Sequence, residues 1–140
     1  MRTITALLVA AGLLAAGCAT HRMTDKQLHA QFLQYAGEPV HQFTYLGRYD
    51  SWQAVGPDTL VLWPTFNKAY LLTLGQPCTG LEYAQRIGLS STNRTVTANI
   101  DTVRFEGHQR CFIQEIRPVD YARMQADRRA AREKAAHSGV

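Results

Sequence analysis

The sequence predicts an α+β domain: a curled antiparallel sheet of five or six strands, with an incomplete barrel as the nearest variant, two short helices packed on it and a C-terminal helix. Three observations carry this. Short apolar runs bounded by turn residues recur at 60–63 and 69–74, neither repeating at the helical period, and a final strand reads over 111–116. Val96, Ala98 and Ile100 alternate with Thr95, Thr97 and Asn99, the pattern of a strand covered on one face. Helix signals are confined to the region after residue 23, a short stretch after Cys78, and the tail. The chain has 140 residues, 46% hydrophobic and 19% charged, which suffices for one such domain and makes a second unexpected.

Met1 and Arg2 give a short positive start, residues 4–16 are an uninterrupted run of apolar and small residues plus one threonine, and small residues precede Cys18. That is the pattern of a signal peptide over residues 1–17. As a helix the run would span about 20 Å, short of the roughly 30 Å hydrocarbon core, so a cleaved signal is expected rather than a permanent span. Leu14, Ala15, Ala16, Gly17 and Cys18 resemble the lipobox of bacterial lipoproteins, in which the cysteine is lipidated on sulfur and becomes the mature N-terminus. The resemblance implies an acylated Cys18. Several acyl chains give the stable anchoring that a single chain does not. Ala19 after the cysteine resembles lipoproteins sent to the outer membrane, here facing the periplasm. The alternative is a plain secretory signal with an incidental cysteine. Removing residues 1–17 takes away Arg2 and no acid, so the formal charge of +4 becomes +3. The remaining excess lies largely in the tail, and export takes the protein away from nucleic acid.

Residues 18–23 then form a short tether, 24–120 the single domain, and 121–140 a helical, partly solvated basic tail. Thr24 and Gln27 fit a capping box, Leu28, Phe32, Tyr35 and Ala36 share one helical face, and Gly37 and Pro39 stop it, which predicts a helix over 25–36. A loosely alternating, aromatic strand is expected over 40–50, followed by a bend before Trp52 and a turn at Gly56, Pro57 and Asp58. The runs 60–63 and 69–74 read as a hairpin buried on both faces with 64–68 as its loop. Thr79 and Glu82 fit a second capping box, predicting a two-turn helix over 79–87. Strands are expected over 95–100, around Val103 and Phe105, and over 111–116. The stretch 118–137 is rich in Ala and Arg and favours helix, but its apolar residues form no wide stripe.

Chemistry is sparse. With Cys18 assigned to lipid, Cys78 and Cys111 remain as a pair in an oxidising compartment, where a structural disulfide is expected. Closing that loop would stabilise the fold by roughly 3.5 to 4 kcal/mol in the chain-entropy picture. A reactive thiol pair, or a zinc site adding His108, are the alternatives, although no CxxC is present and no fourth ligand stands out. His21, His29, His41, His108 and His137 form no HxH or HxxxH pair and read as surface residues. Asp50, Asp58 and Asp101 sit at predicted turns, where the side chain bonds local amides. There is no GxSxG, no phosphate loop and no HExxH, so no enzyme, cofactor or metal is expected. Aromatics between 35 and 70 are core by default. If any face a ligand, Trp52, Phe66 and Tyr70 are the candidates.

In order along residues 52–120, LVLW, KAYLLTL, Cys78 with Gly80 and Leu81, RIGLSS, NIDTVRF, and Cys111 with IRPVD resemble a family of small Gram-negative envelope lipoproteins of unknown function. That resemblance implies an envelope location and the Cys78–Cys111 disulfide, and carries no activity. The expected function is a lipid-anchored envelope protein with a non-enzymatic structural or interaction role. Its expected partners are the membrane, through the lipid, and an envelope protein or polymer. The alternative is a module binding a small glycan, lipid or peptide through exposed aromatics; a thiol redox protein stands third.

Overall fold

The structure, a computed structural model, describes residues 22–75, 78–106 and 109–139. The signal stretch, Cys18, His21 and His108 lie outside the described residues. In chain order the elements are α1 (Asp25–Gln34), β1 (Gln42–Thr44), β2 (Ser51–Ala54), β3 (Thr59–Thr65), β4 (Lys68–Leu74), β5 (Ile87–Leu89), β6 (Thr95–Thr97), β7 (Thr102–Phe105), β8 (Gln109–Val119) and α2 (Tyr121–Ser138). Six strands form one curled antiparallel sheet in the order β2-β3-β4-β8-β7-β5, and β1 pairs with β6 as a separate ribbon. The class is α+β, as the sequence predicts.

The period-2 alternation of β3 and β4 sorts their side chains onto two covered faces. On one face Leu60, Leu62, Leu72 and Leu74 join Ile113 and Ile116 of β8 beneath Phe43 and Val96 of the β1–β6 ribbon. On the other, Val61, Trp63, Ala69, Leu71 and Val119 meet Phe32 of α1 and Met124 of α2. The sheet is therefore the middle of three layers. Each fully buried Leu contributes about 1.5–3 kcal/mol, so the central hairpin is the densest source of stability in the domain. A bulge between Thr73 and Leu74 in the β4–β8 ladder resets the alternation, so that Ile113 and Ile116, three residues apart, face the same side.

Pro118 stands inside β8, opposite Tyr70, yet costs the ladder nothing. Its carbonyl accepts from the Gly37 amide at 2.8 Å, so its nitrogen also points away from β4, where no amide hydrogen is needed. The chain leaving α1 covers this free edge: the Val40 amide donates to the Ile116 carbonyl and the Asp120 amide to the Tyr35 carbonyl, both at 2.8 Å. At the head of α1 the capping box is complete. Thr24 Oγ1 accepts from the Gln27 amide at 3.3 Å and Gln27 Oε1 from the Thr24 amide at 2.9 Å.

Three elements differ from the sequence reading. The expected helix over 79–87 is one 3-10 turn at Leu81–Tyr83, after which Ile87–Leu89 joins the sheet as β5. The turn is capped by Gly80, at φ 93°, which has no side chain to bond; with the Gln109 amide oriented to match donors to acceptors, Gln109 bonds the Thr79 backbone at 2.6 and 3.1 Å. Two turns of helix also cannot outweigh the cost of nucleation, whereas Ile87 gains a partner in Phe105. The expected strand over 40–50 shrinks to β1, since Gly47 at φ 80° turns the chain back. The strand over 95–100 stops at Thr97. Asn99 is left-handed at φ 64°, and Ile100 ends 66% exposed on a turn.

Asp101, only 4% exposed, explains that turn. One carboxylate oxygen accepts from the Thr97 amide at 2.7 Å and the other from the Ser90 hydroxyl at 2.6 Å, while Ser90 Oγ accepts from the Thr102 amide at 2.8 Å. The Asp101 amide in turn donates to the Thr97 carbonyl at 2.9 Å, and its carbonyl accepts from Ile113 at 3.0 Å. One side chain thus joins β6, the segment after β5, and the start of β7. Turn chemistry was the expectation for Asp101; its burial and reach were not.

Candidate functional site

The Cys78–Cys111 disulfide closes across the first core face with a Cα–Cα distance of 5.7 Å, and both cysteines are buried. Bonded to each other, the sulfurs form the disulfide expected from the sequence, and in this state neither offers a thiolate. Among the described residues no group of three His, Cys, Asp or Glu side chains is arranged to hold a metal ion. Nor is any helix among them long and apolar enough to cross a membrane.

Among the described residues, a cleft of about 250 Å³ where the β1–β2 connection faces the β3–β4 hairpin carries ligand-binding chemistry. Its walls come from two pieces of chain. Thr44 closes β1, and Leu46 and Arg48 flank Gly47, whose positive φ folds that connection over the sheet. Pro64 and Thr65 end β3, and Lys68 and Tyr70 begin β4. A bulge between Leu62 and Thr65 and a tight turn at Phe66 and Asn67 set the direction of the hairpin tip. The Tyr70 ring is held by stacking on buried Phe43, centroids 4.5 Å apart and 20° from parallel. The cleft is more enclosed than the grooves of about 270 to 350 Å³ beside β8 and the α1–β1 connection.

Its polarity is one-sided: two cations, two hydroxyls and a phenol line it, and no acid does. The ion pair among the described residues is Arg117 with Glu115, 2.6 Å apart and remote in sequence from this cleft. Close by, burial pushes the Tyr45 phenol above its ordinary value near 10, with Tyr49 adding to the rise. On the helical layer, the hydrogen bond from Tyr35 to Asp127, at 2.8 Å, raises the Tyr35 phenol in the same direction.

Of the aromatics singled out from sequence, Tyr70 lines the cleft. Phe66 stands at the hairpin tip, 78% exposed, one residue beyond the lining Thr65. Trp52 is elsewhere: opposite Leu62 on edge strand β2, it is half-buried against the first core face. Cys18 lies outside the described residues. Sequence reasoning missed Arg48 and Lys68. Twenty residues apart, one in a stretch read as strand and the other in a stretch read as loop, they carry no local signal of meeting.

A family model described as a family of unknown function, DUF6491, matches residues 1–135, and the chain belongs to that family. Comparison with curated proteins and with solved structures finds no match.

Proposed function

We propose that this DUF6491 member is a lipid-anchored envelope protein, held at the periplasmic face of the outer membrane through Cys18, with a non-enzymatic structural or interaction role. The observation that carries the reading is the resemblance of Leu14 to Cys18 to a lipobox at the end of an apolar signal run. The Cys78–Cys111 disulfide supports it, because such bonds persist in oxidising compartments and are rare in the cytosol. The distance from Cys18 to the Thr24 cap also bears on it. Six residues reach at most about 20 Å, so an anchored α1, seated on the sheet through buried Phe32, keeps the domain beside the bilayer. An interaction role from that position engages partners at or near the membrane surface.

Two measurements test the reading. Palmitate labelling should mark the wild-type protein and vanish in Cys18→Ser, with the variant leaving the membrane fraction; label that persists in the variant would overturn the anchor. Affinity capture from membranes, with and without the lipid, should enrich an envelope protein or polymer in the lipidated sample. Enrichment of no envelope component would remove the interaction role.

A further inference from the structure

We propose that the cleft between the β1–β2 connection and the β3–β4 hairpin binds a small organic anion, a carboxylate or phosphate group carried on a short apolar or aromatic body. The inference goes beyond the anchored-protein reading and does not depend on it. Arg48 and Lys68 come from separate walls and line one cavity without an acid, and neither forms an ion pair among the described residues. Two like charges facing one small space repel unless an anion lies between them. Arginine supplies a planar fork suited to carboxylate or phosphate oxygens, and lysine a point charge. The Thr44 hydroxyl lies in the same cavity as a further donor, while the Thr65 hydroxyl donates to Asn67 Oδ1 at 2.9 Å.

The rest of the lining selects the body of the ligand. Leu46, 61% exposed, and Pro64 give apolar contact, and Tyr70 offers a ring whose position is fixed by Phe43 before anything binds. An aromatic already held in place loses little freedom on binding. At about 250 Å³ the space is below the roughly 300–1,000 Å³ of drug-sized pockets, which favours a compact ligand or one end of a larger one.

The test is titration of the disulfide-intact protein with hexanoate, phenyl phosphate and the neutral hexanol, read by amide chemical shifts. At least one anion should shift Thr44, Thr65 and Tyr70 saturably, and hexanol should bind about tenfold more weakly or not at all. Arg48→Gln and Lys68→Gln should each weaken the anion about fivefold, since both cations are exposed and partly screened, with unfolding midpoints unchanged. Phosphatidylglycerol vesicles that compete with the bound anion would assign the group to a lipid head; failure to compete would assign it to a soluble molecule, and either supports the site. Saturable shifts from neither anion, equal binding of hexanol, or wild-type affinity in both folded variants would overturn the proposal.

Discussion

Removing the Asp101 carboxylate should open the turn that joins β6 to β7. In Asp101→Ala the Thr97 amide and the Ser90 hydroxyl lose acceptors at 2.7 and 2.6 Å inside a site that is 4% exposed. A buried donor left without a partner costs about 1–3 kcal/mol, so two of them, partly relieved by rearrangement of Ser90, give about 2–4 kcal/mol. For a domain of this size that lowers Tm by roughly 8–15 °C. Asp101→Asn separates hydrogen bonding from charge. Its carbonyl still accepts from Thr97, and its amide donates to Ser90 Oγ, which then accepts from both Asn and the Thr102 amide and must send its own hydrogen elsewhere. The cost should fall to about 1 kcal/mol. Urea unfolding followed by circular dichroism measures both. An Ala variant within about 0.5 kcal/mol of wild type, or an Asn variant as damaged as Ala, would refute the account: the first says the network is idle, the second that the charge rather than the bonding matters.

Other outcomes follow from the same structure. Replacing both Cys78 and Cys111 by Ala should cost about 3.5–4 kcal/mol from loop entropy alone, visible as a lower urea midpoint that reductant no longer changes. Met124→Ala, truncating a fully buried contact between α2 and the sheet, should cost about 2–5 kcal/mol and increase amide exchange in the first turns of α2. Because the Tyr45 phenol is raised in the folded state, its contribution to stability is full below the ordinary phenol pKa near 10 and is lost as pH rises through the raised value. Tyr45→Phe should therefore flatten the alkaline fall in stability above about pH 10; an unchanged fall would point to other groups.

The fold was legible where local pattern and burial agree. Val61 and Trp63 point one way and Leu60 and Leu62 the other, and a run apolar at every position has both faces covered, as β3 does. Thr24 and Gln27 announced α1 because a capping box is a short-range device. Residues 79–87 misled because their helix signals are real but lose to Ile87 pairing with Phe105, a contact eighteen residues away that no local window contains. Ile100 kept the alternation on paper, yet a buried carboxylate one residue on turned the chain first. The cleft was half visible. Tyr70 was named as an aromatic, but the meeting of Arg48 with Lys68 depends on Gly47 folding one strand connection over another hairpin.

The cross-link between Cys78 and Cys111 has a mechanical side. The residues it encloses, a separation of 33 positions, carry β5, β6, β7 and the first part of β8. At about 3.3–3.6 Å per extended residue, the bond withholds roughly 110 Å of contour length from any pull applied between the ends of the chain. Stretched to its limit, the oxidised protein would still hold that part of the sheet as a closed loop. Reduction would release the length in full.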